Sequence, residues 1–186
     1  MRLFFAVPVP ISKALHELHG GLDSLSGDLK PVRPELIHIT LKFLGEVSIP
    51  PDLLSNSANS ILSDLDPFPM KISGSGAFPD WRRPSVLWLS VNDEDKMSEI
   101  ASRLSRVLQK DHGIPPDRRP FRSHITVARV RRNGRINSGR ARDLLENCVT
   151  SLTREGYEIR VDGFRLISSR LTPLGPVYTE VDSYGF

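Results

Sequence analysis

Cysteine is nearly absent from this 186-residue chain. The one present, Cys148, leaves no partner for an internal disulfide, which excludes a disulfide-stapled fold. Long apolar runs are missing too. The longest, Leu3 to Pro10 and Val86 to Val91, are strand-sized and fall short of the roughly 18 to 20 residues of a membrane-spanning helix, so no membrane association is expected. The first residues, Met-Arg-Leu-Phe-Phe-Ala-Val-Pro, lack the length of a secretory apolar region and a small-residue cleavage site, and read as a first strand. Cys148 falls among Leu144, Leu145, Val149 and Leu152 at helical spacing and reads as a small core residue, which fits a reducing, cytoplasmic setting. There is no Gly-x-x-x-x-Gly-Lys-Ser/Thr loop and no Gly-x-Ser-x-Gly elbow, which removes the common nucleotide-triphosphatase and serine-hydrolase signatures.

What remains has the composition of a folded globular protein, 39% hydrophobic and 25% charged, at a length that suits one domain or two small lobes sharing a core. The net charge is +3, but it is unevenly spread. The first 93 residues hold 8 Lys+Arg against 10 Asp+Glu, and the remainder 17 against 12. Nine arginines (118, 119, 122, 129, 131, 132, 135, 140 and 142) fall between Arg118 and Arg142 with no acidic residue and no lysine among them. Such a run is a solvated face or an anion-binding surface. The planar fork of arginine matches phosphate oxygens, which favours the latter.

Hydrophobic periodicity gives a strand at Leu3–Val7, a helix from Ile11 to Leu25, a strand at Leu36–Leu44, a helix from Asp52 to Leu65 and a strand near Phe68–Ser73. Gly74, Gly76, Pro79 and Pro84 then predict a loop. A strand at Val86–Val91 follows, then a helix capped by Asn92 or Asp93 and carrying Met97, Ile100, Ala101, Leu104, Val107 and Leu108. Beyond a proline-broken loop at 111–120 come a strand at Ser123–Val130, a helix at Ser138–Leu152 and strands near Tyr157–Ile167 and Val177–Val181. Each half therefore reads β-α-β-α-β, with one strand added to the second. The chain is expected to be a single bilobal domain spanning 1–186, duplicated internally over about 1–78 and 85–186.

The middle strand of each half contains the same tripeptide, His38-Ile39-Thr40 and His124-Ile125-Thr126, 86 residues apart. In a strand, residues two apart share a face, so His38 pairs with Thr40 and His124 with Thr126, while the isoleucines turn to a core. If an approximate two-fold relates the halves, the pairs face each other across a cleft. Two imidazoles that titrate near neutrality suit a reaction needing a proton removed on one side and delivered on the other. Threonine hydroxyls between them can hold anionic oxygens, which is the requirement of in-line transfer at phosphorus without a metal. A zinc site finds little support: there is no His-Glu-x-x-His and no cysteine cluster. His16 and His19 beside Glu17 read as a solvated helix face, and His112 lies in the loop.

The paired motifs, with Arg2-Leu3-Phe4-Phe5-Ala6-Val7, Leu41-Lys42-Phe43-Leu44-Gly45, Phe78-Pro79, Val127-Ala128-Arg129 and Gly175-Pro176-Val177-Tyr178, span nearly the whole chain. In this order they resemble the two-histidine phosphoesterases, and within them the RNA 2′,3′-cyclic phosphodiesterases formerly described as 2′-5′ RNA ligases. The resemblance implies an α+β fold of two pseudo-symmetric lobes, each a mainly antiparallel sheet with outer helices. It implies a cleft holding both motifs, no cofactor, and hydrolysis of an RNA terminal 2′,3′-cyclic phosphate to a 2′-phosphate. It assigns His38 as proton donor and His124 as acceptor; the swapped roles offer the same chemistry. Thr40 and Thr126 complete that site. Arg129 stands where the family has arginine, but alternation from His124 puts it on the opposite face unless a bulge or the strand's end intervenes. Phe43, its counterpart after Thr40, reads as core. Tyr178 and Phe5 are candidates to stack on a base.

Hydrolysis of an RNA or nucleotide carrying a 2′,3′-cyclic phosphate is thus the leading expectation, by a monomer. The reverse reaction, which joins RNA ends through a 2′-5′ linkage, uses the same acid and base. A non-catalytic RNA-binding module would use the arginines alone.

Overall fold

Five consecutive residues of the first strand, Leu3 to Val7, are all buried, as expected of a strand with neighbours on both edges and layers on both faces. The computed structural model describes residues 1–25, 27–92, 94–172 and 175–186. Its elements in chain order are β1 (Arg2–Pro8), α1 (Lys13–Asp23), β2 (Leu29–Pro31), a 3-10 turn (Pro34–Leu36), β3 (His38–Glu46), α2 (Pro51–Asn59), β4 (Phe68–Met70), β5 (Ile72–Phe78), β6 (Val86–Val91), α3 (Glu94–His112), β7 (His124–Val130), α4 (Ser138–Arg154), β8 (Ile159–Val161), β9 (Gly163–Thr172) and β10 (Gly175–Gly185). The class is α+β. The main sheet has the order β10-β9-β1-β3-β7-β6-β5, with β2 also pairing with β7, and its pairings are antiparallel. A small β4-β8 sheet stands apart.

The sheet divides at β3 and β7 into two lobes, and each lobe draws on both halves of the sequence. Strands β9 and β10, from the end of the chain, join β1 and β3. Strands β2 and β5, from the first half, join β7 and β6. The helices cross as well: α1 packs on α4 and β2, while α3 packs on α2 and β3. Burial of Phe5, Ile39, Leu54, Leu87, Leu89, Met97, Leu104, Ile125 and Phe164 at 2% exposure or less makes these exchanges one continuous core.

Several element boundaries differ from the periodic reading. Strand β5 continues to Phe78 through Gly74 and Gly76 because the Trp88 ring lies where a Cβ of residue 76 would sit. Only glycine permits that approach. The Asn92 side-chain oxygen accepts the Lys71 N–H at 2.6 Å, and the other candidate cap of α3, Asp93, lies outside the described residues. Helix α1 starts later than periodicity indicates, after Ser12, whose hydroxyl accepts the Leu15 N–H at 3.2 Å. Cys148 is buried as expected, and burial pushes its thiol up to about 12. Among the described residues no helix is long and apolar enough to cross a membrane.

Candidate active site

Strands β3 and β7 meet at Ile39 opposite Ile125, both fully buried. An antiparallel register centred on that pair sets His38 on the Thr126 side and Thr40 on the His124 side. The four polar side chains lie on the face opposite the isoleucines. All four are half-buried. The two histidines are diagonal neighbours in this register, a relationship that in antiparallel pairs sets residues about 7 to 8 Å apart, enough for one tetrahedral anion.

The imidazoles are held alike. His38 Nδ1 donates to the Leu36 carbonyl at 2.7 Å, and His124 Nδ1 donates to the Arg122 carbonyl at 2.7 Å. A carbonyl only accepts, so each bond fixes the Nδ1–H tautomer and leaves Nε2 free to take or give a proton. Aromatic rings flank each imidazole. Phe4 and Tyr178 stand 4.9 and 5.5 Å from His38, centroid to centroid, and Phe78 and Trp88 stand 5.2 and 6.2 Å from His124. Phe78 and Trp88 are themselves stacked at 5.0 Å. Burial holds His38 below the ordinary histidine pKa, and the positive charges of Arg129 and His124 act in the same direction. The Leu36 carbonyl opposes them.

Arg129 reaches this face through a β-bulge. Against β6, Thr126 pairs with Trp88 and Ala128 with Leu87, so Val127 is the extra residue. Val127 and Ala128 are consequently both buried, and Arg129 returns to the histidine side, where its charge acts on both His38 and Tyr178. β3 has the same bulge at Leu41: Thr40 pairs with Ala6 and Lys42 with Phe5. The residue matching Arg129 is therefore Phe43. It is not core as expected but 60% exposed, tilted against Phe4 at 5.9 Å. The cleft thus has a cation on one wall and an aromatic on the other.

Tyr178 is half-buried beside His38, with its hydroxyl pushed up by burial. Phe5 is not at the cleft. It is fully buried against Phe164 and Tyr184, and its neighbour Phe4 takes the position beside His38. Lys42, on the opposite face from Phe43, is 2% exposed and donates to the Pro115 carbonyl at 2.9 Å and Asp117 Oδ2 at 3.1 Å. It ties the 113–123 loop, which leads directly into His124, to the strand that carries His38. A cavity of about 200 Å³ beside His38 is lined by Pro8, Leu36 and Tyr178, with the Arg165–Glu180 ion pair at its rim.

Sequence reasoning missed Phe4, Trp88, Lys42 and the two carbonyls that orient the imidazoles. The carbonyls had a signal, since each stands two residues before its histidine. Phe4 had none, because a strand buried on both faces does not reveal which face lines a cleft. No group of three His, Cys, Asp or Glu side chains able to hold a metal occurs among the described residues. His112 serves as a structural partner, its Nε2 2.9 Å from the Ser57 hydroxyl.

Comparison with known proteins shows the family and the fold. The family described as LigT like Phosphoesterase matches residues 5–88 and again 89–178, so each copy takes in one histidine motif. An RNA 2′,3′-cyclic phosphodiesterase of Archaeoglobus fulgidus is 34% identical over 185 residues, 97% of this chain and 98% of the relative. One from Methanothermobacter thermautotrophicus is 32% identical over 188 residues, 99% and 98% of the two chains. The crystal structure of TT0787 of Thermus thermophilus superposes with a TM-score of 0.78 at 30% identity, covering 100% of this chain and 97% of that one. Escherichia coli LigT complexed with 3′-AMP shares the fold, with a TM-score of 0.72 at 24% identity over 99% and 97% of the two chains. The chain belongs to the LigT-like phosphoesterases, a family of the two-histidine phosphoesterase superfamily.

Proposed function

We propose that this phosphoesterase hydrolyses the 2′,3′-cyclic phosphate at the end of an RNA to a 2′-phosphate, by general acid-base catalysis between His38 and His124 and without a metal. The observation that carries the reading is the equivalent pair of imidazoles, each with Nδ1 tied to the carbonyl two residues before it, on adjacent strands whose register brings His38 beside Thr126 and His124 beside Thr40. The names of the relatives at 32 and 34% identity supply the substrate class.

In this mechanism water attacks phosphorus opposite O3′. His124 Nε2 takes the water proton as the P–O bond forms, and His38 Nε2 delivers its proton to O3′ as the P–O3′ bond breaks. One water is consumed and the diester becomes a monoester. Thr40 and Thr126 donate to the non-bridging oxygens, and Arg129 balances the charge that grows there. His38 must enter protonated although burial and two cations disfavour its charge. The phosphate anion supplies the missing counter-charge, so substrate binding itself loads the acid. Tyr178 and the exposed Phe43 offer faces for the terminal base.

Both histidines come from one chain, which supports action as a monomer. The lone buried cysteine supports a reducing, cytoplasmic setting. The test is product identity. An oligoribonucleotide ending in a 2′,3′-cyclic phosphate should yield the 2′-phosphate in EDTA. A 3′-phosphate product, or a longer RNA joined 2′-5′, would contradict the reading.

A further inference from the structure

A second cavity lies away from the histidines. It has about 740 Å³, lies at the far end of β7, and is lined by Arg82, Arg83, Arg131, Arg132 and Arg135 together with Ser138, the first residue of α4. Among the described residues, Asp80 and Asp28 are acidic residues that touch this cluster. Asp80 accepts the N–H groups of Arg82 and Arg83 at 2.8 and 3.2 Å and pairs with the Arg82 guanidinium at 3.2 Å. Asp28 lies beneath the turn at 131–135, where its carboxylate accepts the Arg135 N–H at 3.1 Å and its side chain fills the space a Cβ on Gly134 would need. Among the described residues, Arg83, Arg131 and Arg132 take part in no ion pair, and all three are exposed.

A second observation links the cavity to the cleft. On β7, Arg129 is the register partner of Lys30 on β2. Both are exposed, and neither joins an ion pair among the described residues. Like charges directly opposite each other in a sheet destabilise it, so folding gives no reason for the pair. Positive charge therefore continues along β7 from Thr126 through Arg129 and Lys30 to the groove. From Thr126 to Val130 is four residues, about 13 Å of strand. Phosphates in a stacked strand recur about every 3.4 Å, so this length corresponds to about four stacked nucleotides, or fewer if extended. At the equivalent place in the other lobe Phe43 replaces Arg129 and residues 47–50, beyond β3, contain no Lys or Arg; that lobe's exposed Arg2, on β1, acts on Tyr178.

We infer that the arginine groove at the end of β7, reached through Lys30 and Arg129, binds the sugar-phosphate backbone of the RNA on the 5′ side of the reacting terminus. This rests on the proposed reaction, in which the cyclic phosphate is the 3′ end and the rest of the strand must leave the cleft in one direction. The unbroken run of cations beyond Arg129 sends it over β7. The site takes a run of phosphodiesters with no base preference of its own, and the physiological substrate class is then an oligonucleotide and not a cyclic mononucleotide.

The test compares wild type with the triple variant Arg83→Ala, Arg131→Ala, Arg132→Ala on two substrates, a nucleoside 2′,3′-cyclic phosphate and a short oligoribonucleotide with the same cyclic end. The variant should raise KM for the oligonucleotide about tenfold or more, and its salt slope should fall by about 2, from three contacts at about 0.7 each. Turnover of the mononucleotide should change less than about twofold. Replacing the same arginines by lysine should restore most of the affinity. Equal KM for the oligonucleotide in wild type and variant, or an equal loss on both substrates, would overturn the inference. Fluorescence anisotropy of a labelled RNA ending in a 3′-phosphate separates this from the reaction itself. If wild type turns over neither substrate but binds that RNA and the variant does not, the reaction is wrong and the groove stands; equal binding by wild type and variant removes the groove.

Discussion

Ile39 faces Ile125 across the join between the two lobes, and this apolar contact sets the spacing of the catalytic candidates on the other side of the sheet. Each isoleucine sits between a histidine and a threonine, so one fully buried pair positions four polar side chains at once. The bulges at Leu41 and Val127 follow within two residues and turn Phe43 and Arg129 back towards the same space.

Truncating that contact should therefore cost both stability and rate. Ile125→Ala is expected to lower unfolding free energy by about 2 to 5 kcal/mol, and Ile125→Val by about 0.5 to 1.5. The alanine variant should lose kcat more than KM, because spacing and not affinity is disturbed. Denaturant melts and steady-state kinetics on the same samples check both.

His38 should titrate below the ordinary histidine value of about 6.5, because burial and then the charges of Arg129 and His124 disfavour its protonated form. The sign follows for stability. The folded state binds that proton less readily than the unfolded chain, so the contribution is complete above about 6.5 and is lost as pH falls through the depressed folded pKa. Histidine NMR should show the low midpoint, and inorganic phosphate should move it up. A midpoint at or above 6.5 without phosphate would contradict this electrostatic account.

The division of labour between the histidines can be read from the leaving group. A phosphodiester that releases nitrophenolate needs no protonated leaving oxygen, so His38→Ala should retain much more of its activity on it than on the cyclic phosphate. His124→Ala should stay inactive on both. The reverse pattern would swap acid and base.

Arg129→Ala should lower kcat by about 10² to 10³, the usual loss when a donor to a developing anion is removed, with little change in melting temperature because the side chain is exposed. Arg129→Lys should recover only part, since an ammonium cannot reproduce the two-pronged contact.

Gly76→Ala probes the support behind His124. The new methyl would fall well inside van der Waals contact with the Trp88 ring, so the indole has to move or the strands must part. A destabilisation of about 1 to 3 kcal/mol is expected. Trp88 fluorescence should shift with it.

The family and the pair of histidine strands were legible in the sequence. His-x-Thr in a strand declares a shared face, and its repetition after 86 residues declares a second copy. Alternation could not show that Val127 is bulged, so the face of Arg129 stayed open, and the same silence about Leu41 made Phe43 read as core. Phe4 and Phe5 were indistinguishable because β1 is buried on both faces, and only the register of its neighbours turns Phe4 to His38. The exchange of β5, β9, α1 and α3 between lobes is a property of long-range packing that no local pattern carries. Strand β5 was hidden by glycines whose role appears only once Trp88 is in place.

The most direct measurement is phosphorus NMR of an RNA ending in a 2′,3′-cyclic phosphate, incubated in EDTA with wild type, His38→Ala and His124→Ala. The account predicts conversion to the 2′-phosphate by wild type, and rates lower by about 10² to 10⁴ for each folded variant. Undiminished conversion by either folded variant, or wild-type activity that disappears in EDTA and returns with a divalent metal, would contradict it.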